Sequence, residues 1–476
     1  MKTAKLYGSL LFLGLLLIFL LPPTDPDLGW QLRCGQEFWQ NHSLCSQNQF
    51  TVLLPNYSWP NHHWLYQATI YPIYKIAGLW GLTVFNALLM GFAFFFFYLA
   101  IKNYLLEKIM AIGLIIFLSW GVFSFGIRSQ LMGFFFFSLL LWLLGKSRQI
   151  NAMAFFCPLI FFLWANFHGG SVILGLILVL LIFLSLAADR FFLKKIIFLM
   201  AIFLLSILAT LLNPFGLSIY QEAWQHFAQV NLNQLIAEWV PPVPFLWWLI
   251  LLSGLVLFLI LLFTAEFSNL ILAFLPLLFG FLALKARRHL PFYFLVWFYL
   301  FFYLPNLKKI LNSWLKNESF RNDLALLTIV FLLVFGLFRL SKTLATNLSW
   351  QNYCQNSRLS YPCGAIQFLR RQPPANIFNR YEWGGFLIWQ LPEYKVFVDG
   401  RMPAWNHPSG RSPYTIYLET LQTQPGWQET LKEYKIDWIL ISPGTFMDLL
   451  LKPNPEKFGW QEVYRDKAAV IFKKFY

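Results

Sequence analysis

The sequence predicts a mainly α protein, a polytopic transmembrane bundle of about eleven helices with a small extracytoplasmic α/β domain at its C-terminal end. Three observations carry this reading. Of 476 residues, 58% are apolar and 20% aromatic while only 12% are charged, far from a soluble average. The apolar residues fall in runs of roughly 15–22, near the length a helix needs to cross ~30 Å of hydrocarbon. After residue 345 charge and proline rise and the long runs stop. Alternating ten-residue strand patterns are absent, which argues against a membrane β-barrel.

The elements follow in order. Lys2 and Lys5 precede the apolar run 7–21. No small-residue cleavage pattern follows it, so the run reads as a retained first helix with the N-terminus in the cytoplasm. The polar, aromatic-rich segment 23–76 is then a large first outer loop. Helices are expected at about 78–101, 109–126, 131–145, 152–166, 171–188, 196–212, 246–264, 268–284, 290–305 and 323–339. Basic residues mark the inner turns: Lys102 and Lys108, Lys146 and Arg148, Arg190 with Lys194 and Lys195, and Lys308, Lys309, Lys316 and Arg321. This asymmetry sets the orientation and places the tail outside. The basic residues behind the net charge of +15 are spread through short loops rather than gathered in one patch, so nucleic acid is not implied as a partner. The division is therefore a membrane domain, 1–344, and an outer α/β domain, 345–476.

In the tail, 375–381, 394–399 and 436–442 read as strands. A hairpin of 459–464 and 468–473 turns at Arg465-Asp466-Lys467. Residues 418–434 suggest a connecting helix interrupted at Pro425-Gly426. Cys34 and Cys45 share the first loop, and Cys354 and Cys363 share the start of the tail. On an oxidising side these two pairs suit disulfides better than a metal, since no His or further Cys stands at ligand spacing. Cys157 stands alone in a helix.

Polar chemistry gathers on the side read as outer. It comprises Asp25, Asp27, His62, His63, Arg128, Gln130, Asn166, His168, Asn213, Glu222, Glu238, Arg287, Arg288 and His289. Carboxylates, imidazoles and guanidiniums facing one way are what a binding or catalytic pocket needs. Each has a plainer reading too. Asp25 is a helix-exit or turn residue, His168 belongs to a turn beside Gly169-Gly170, and Asn213-Pro214-Phe215-Gly216 is a helix stop. Arg128 and the Lys285–Arg288 group stand at helix ends against the orientation rule, where an anionic lipid head group or a substrate phosphate would pair with them. Asp399-Gly400-Arg401 follows a strand and reads first as a turn.

Several strings carry a resemblance: DPDLGWQLRCG with WPNHHWLYQ downstream, then FGIRSQL, LWANFHGG, LLNPFGLSIY, AEWVPP, KARRHLPFY and FNRYEWGGFLIWQLPEYKVFVDGR. Together with an acidic first outer loop and an outward tail, they resemble the GT-C superfamily of integral-membrane glycosyltransferases. That superfamily includes protein O-mannosyltransferases and aminoarabinose transferases, and the likeness is greatest to an uncharacterised bacterial branch. The first loop departs from the family pattern in reading Asp-Leu-Gly-Trp, with Pro26 between the two acids.

The resemblance implies an enzyme of the cell membrane that moves a sugar from a polyprenyl-phosphate donor to an extracytoplasmic glycan, lipid or protein acceptor, with inversion. Membrane lipid and that acceptor are then its partners. It implies Asp27, with Asp25 as second choice, as the base for the acceptor hydroxyl. Arg287 and Arg288, with Arg128 behind them, would hold the donor phosphate. His62, His63, His168, Asn213 and Glu238 would contact substrate. No cofactor is certain and a divalent metal stays open, with no metal ligands named. Two other classes stay open, a transporter or flippase of lipid-linked sugars and a non-catalytic scaffold. A transporter should show repeated, Pro- or Gly-broken helices with charges at mid-membrane depth, and no clear repeat is present.

Overall fold

Long apolar runs in this chain have no choice but to close their backbone hydrogen bonds within helices, because hydrocarbon offers no other partner. A computed structural model describes residues 2–101, 104–145, 154–188, 193–228, 236, 238–263, 267–303, 317–347, 352–354 and 360–475. The chain forms two compact units, one of Met1–Pro22 with Leu82–Thr343 and one of Pro23–Gly81 with Leu344–Tyr476.

Among its described residues, the first unit forms helices and no strand. Among the described residues, six stretches are long and apolar enough to cross a membrane: Trp64–Ala100, Cys157–Ala188, Leu193–Thr210, Pro244–Leu262, Ser268–Lys285 and Ser319–Asn347. This is a multi-pass membrane protein. The sequence count of about eleven also draws on shorter apolar helices, among them Leu6–Phe19 and Gln130–Leu144. The inner-turn residues Lys102, Lys146, Arg148, Arg190, Lys308, Lys309 and Lys316 lie outside the described residues.

Phenylalanine fills the centre of this unit. Phe134 meets Phe94 and Phe123 at 5.2 Å each, and Phe137 meets Phe292 at 5.2 Å and Phe279 at 5.4 Å, mostly edge to face. Tilted and edge-on contacts of this kind set the positive rim of one ring against the negative face of the next. By contrast, Leu252 and Val256 of Pro244–Leu262 are exposed, as a lipid-facing surface requires. The first and last helices run parallel. Gly14 lies against Leu332 and Leu333, Leu17 against Gly336, and Thr343 Oγ1 donates to Leu20 O at 2.6 Å.

The second unit joins the segment after the first helix to the tail. Its sheet has the order β2-β1-β3-β5-β4, with β1 Asn376–Asn379, β2 Lys395–Val396, β3 Trp438–Ile441, β4 Trp460–Arg465 and β5 Val470–Lys474. β1 is parallel to both β2 and β3, while β5 is antiparallel to β3 and β4. The first loop extends this sheet. Val52 N–H donates to Val396 O at 2.9 Å and Val396 N–H to Phe50 O at 3.0 Å, which covers an edge that would otherwise invite pairing. Trp30, Cys34, Leu53 and Trp59 are buried in one core with Ile377, Phe378, Trp383, Leu387 and Ile439. Disulfides join Cys34 to Cys45 and Cys354 to Cys363, and Cys157 is free and buried.

Three details differ from the sequence reading. The first loop contains a helix, Leu28–Asn41, ended by a left-handed His42. The next helix begins at Trp64 rather than near 78, and continues through Pro72 to a kink at Gly78 (φ 55°). The connecting helix starts at Pro413 rather than at 418, while its interruption, Gln422–Gly426 with Gly426 at φ 96°, includes the Pro425-Gly426 where a break was expected.

Candidate active site

The two carboxylates of DPD stand at the entrance to the helix Leu28–Asn41. Asp25 is buried, and its Oδ1 accepts the Asp27 N–H at 3.4 Å while its carbonyl accepts Leu28 N–H at 3.1 Å. It shapes the turn that starts the helix. Asp27 occupies the N-cap position without a side-chain cap; its carbonyl accepts Gln31 N–H at 3.1 Å. The helix enters closely because Gly29 and Gly385 meet backbone to backbone, where a Cβ on either would overlap a carbonyl oxygen. The Asp27 carboxylate comes to rest against Gly400. Its charge reaches Tyr381, whose hydroxyl is held well above the usual phenol range by burial first and by Asp27 second. Near the loop's end, the rings of His62 and His63 lie 4.0 Å apart, and His62 Nδ1 is 3.3 Å from Pro60 O. A reciprocal amide pair, Asn61 with Gln67 at 2.8 and 2.9 Å, braces the turn into Trp64–Ala100.

In the helical unit, one end collects the remaining candidates. Arg128 and Glu238 form an ion pair, and Gln130 Nε2 donates to Glu238 Oε2 at 3.0 Å. The Arg288 guanidinium lies 4.5 Å from the centre of the Trp239 ring, and Arg288 N–H donates to Glu238 O at 3.3 Å. Burial pushes the Glu238 carboxyl up, but Arg128 and Arg288 outweigh it and hold the group below its ordinary value. Glu238 is therefore a carboxylate already shared between two cations. Arg287 differs. Its N–H donates to Val240 O at 3.0 Å, but its guanidinium makes no hydrogen bond, ion pair or ring contact to the described residues. His289 Nδ1 is 3.2 Å from Leu282 O, and burial lowers its pKa to about 3.

Beside this cluster runs the helix Ser218–Ala228. Sequence reading named Glu222 but not its partner one turn on, His226, which i,i+4 spacing could have shown. His226 Nδ1 donates to Glu222 O at 2.9 Å, and the imidazole stacks with Trp239 at 5.9 Å. Lys285 sits 3.6 Å from the centre of the Phe227 ring.

Two more connections meet here. Asn166 Nδ2 donates to Phe162 O at 2.8 Å and Leu212 O at 3.2 Å, joining LWANFHGG to LLNPFG. His168 Nδ1 lies 2.7 Å from Ser171 Oγ, which also accepts the Trp164 indole N–H at 2.9 Å. Asn213 closes its own turn: both amide protons go to Thr210 O and Gly216 O, and Oδ1 accepts Phe215 N–H. Its side chain serves the helix stop.

No family model matches the sequence, and no curated protein matches it. Solved structures do. The archaeal oligosaccharyltransferase AglB from Archaeoglobus fulgidus in complex with an inhibitory peptide and a dolichol-phosphate matches with a TM-score of 0.56 at 11% identity, over 92% of this chain and 69% of that one. The apo form of the Archaeoglobus fulgidus oligosaccharyltransferase gives 0.54 at 11% identity over 91% and 69%. The form tethered by a disulfide bond to an acceptor peptide containing the NVT sequon gives 0.51 at 11% identity over 91% and 68%. At this identity the likeness is one of fold. The chain thus has a fold similar to that of an archaeal oligosaccharyltransferase, and the fold expected from the resemblance of its motifs holds at that level.

Proposed function

We propose that the chain is a membrane glycosyltransferase that moves a sugar from a polyprenyl-phosphate donor to an extracytoplasmic acceptor by one inverting displacement. The observation that carries this reading is Arg287, a guanidinium without a partner among the described residues. It stands at the end of the helical unit where Arg128, Arg288, Glu238 and Glu222 gather, in a fold similar to that of an oligosaccharyltransferase solved in complex with a dolichol-phosphate. The bundle lies in the cell membrane with about eleven spans, its N-terminus cytoplasmic and this end outside.

The chemistry follows from charge. The acceptor hydroxyl oxygen attacks the anomeric carbon while the carbon–oxygen bond to phosphate breaks, and that bond's electrons stay on the phosphate oxygen. The leaving polyprenyl phosphate is a stable anion, so it needs a cation rather than a proton. Arg287 offers a planar fork to its oxygens, with Arg288 and Arg128 adding positive field. The acceptor's proton passes to Asp27, a carboxylate not used for helix capping. Attack from the face opposite the leaving group inverts the centre, as in inverting glycosidases.

The test is donor consumption by the purified full-length protein offered a panel of polyprenyl-phosphate sugars. Asp27→Asn keeps shape and removes the base, so turnover should fall on the order of 10²–10⁴-fold. Asp25→Asn should cost much less, since Asp25 shapes the turn. Full transfer by the Asp25→Asn/Asp27→Asn double variant would falsify the first-loop mechanism.

A further inference from the structure

The turn Asp399-Gly400-Arg401 has the composition of an ordinary Asp-Gly turn, and its backbone makes one. Met402 N–H donates to Asp399 O at 3.3 Å and Arg401 N–H to Asp399 Oδ1 at 2.9 Å. Glycine is the usual choice in such turns because it accepts a positive φ. Gly400 has no positive φ. Backbone conformation therefore does not call for glycine here, and the reason lies in what approaches it. A Cβ at Gly400 would overlap Asp27 Oδ1 and lie 2.8 Å from Asp27 Cγ and 3.3 Å from Oδ2. The missing methyl is the seat of the Asp27 carboxylate.

That seat is rigid. Arg401 grips Asp399 with two further bonds, Nε to Oδ1 at 2.9 Å and Nη2 to Oδ2 at 2.6 Å, and both side chains are fully shielded from solvent. Its Nη2 also donates to Asn48 Oδ1 at 3.2 Å. The guanidinium is walled by Phe50 at 5.0 Å, Trp405 at 5.4 Å, and Trp30 and Trp59 at 5.9 Å each. Trp30 is on the helix that Asp27 begins, one turn on. The ion pair, the cage and the helix thus fix the turn and the carboxylate against each other.

We infer that Gly400, clamped by the Asp399–Arg401 pair, is the positioning residue for Asp27, setting the orientation of the carboxylate that receives the acceptor's proton. This rests on the reading of Asp27 as the base. Small displacements of a reacting group are expensive, about 10²-fold for ~1 Å.

The test uses full-length protein in detergent carrying Gly400→Ala, Asp27→Ala, or both. Thermal midpoint and turnover with the polyprenyl-phosphate sugar panel are measured. In the wild-type background Gly400→Ala should lower kcat on the order of 10–100-fold with the donor KM essentially unchanged. It should also lower the thermal midpoint, because the methyl meets the carboxylate. In the Asp27→Ala background that carboxylate is gone, and the same substitution should leave the midpoint where Asp27→Ala alone puts it. Equal midpoint losses in both backgrounds overturn the inference, as does an unchanged kcat in Gly400→Ala when Asp27→Ala is inactive. Full turnover by Asp27→Ala breaks the assignment of the base instead, while the thermal coupling still reports whether Gly400 seats the side chain.

Discussion

Arg287 and Arg288 are neighbours in sequence with different occupations. Arg288 rests on the Trp239 ring and in the field of Glu238, so its removal should be felt in packing. The Arg287 guanidinium has no partner among the described residues, and its removal should be felt by the donor. A charge-assisted hydrogen bond contributes about 1.5–3 kcal/mol, which corresponds to roughly a 10–100-fold rise in donor KM for Arg287→Ala. Arg287→Lys keeps the charge but loses the two-pronged geometry and should recover only part. Initial-rate kinetics on the purified variants, with thermal midpoints as a control for folding, decide it. Normal donor KM in Arg287→Ala would move the phosphate elsewhere. The string Lys-Ala-Arg-Arg-His could be read from the sequence as a basic helix end. Which arginine is engaged could not, because that depends on Glu238 and Trp239 about fifty positions away.

At the level of elements, the helix Ser218–Ala228 holds two titrating groups that oppose one another. Burial pushes Glu222 up to about 7, so the fold favours its protonated form. That contribution is full below the ordinary value near 4.5 and is lost as pH rises through 7. Burial also lowers His226 to about 4, so the fold favours its neutral form. Its contribution is full above about 6.5 and is lost as pH falls toward 4. Between pH 4.5 and 6.5 the two slopes cancel in part. Relative to wild type, Glu222→Gln should therefore make the thermal midpoint climb more steeply over this window, and His226→Gln should make it fall. Midpoints of the detergent-solubilised variants, taken at half-unit pH steps, test this. Curves parallel to wild type would show that neither group titrates as its burial requires.

The same scale shows why some elements were readable and others were not. β1, β3 and the β4–β5 hairpin announce themselves as short apolar runs between turn residues, and the apolar helices by their length. The helix Leu28–Asn41 lacks such a signal. Its stability comes from packing Trp30, Leu32 and Cys34 into the tail's core, and a short helix has little stability of its own. Pro72 lies inside the helix that starts at Trp64, where proline lacks the N–H that would bond to residue 68. The fold supplies a substitute: the Trp39 indole N–H donates to Ala68 O at 2.8 Å. The carbonyl is satisfied by a residue that local sequence could not nominate.

At the scale of the whole molecule, the helical unit has two chemically different ends. Glu107, in the first turn of Leu105–Leu118, pairs with Arg321 at 3.2 Å. Arg128, beyond the far end of that helical stretch, pairs with Glu238. Because the first and last helices run parallel, Lys2 shares its end with Arg321, while Leu20 and Thr343 share the other. Basic residues retained in the cytoplasm should fix the Lys2–Arg321 end inside. The geometry therefore converts orientation into a matched set of expectations. Reporter fusions after Lys146, Lys195 and Lys316 should read cytoplasmic, and fusions after Gly170 and at Tyr476 should read outside. Paired alkaline phosphatase and fluorescent-protein reporters give opposite signals on the two sides, so each site is checked twice. A cytoplasmic signal at Tyr476 with an equally cytoplasmic N-terminus would require an even number of spans. Parallel first and last helices cannot provide that, so the eleven-span arrangement and the outward Asp27 would both fall.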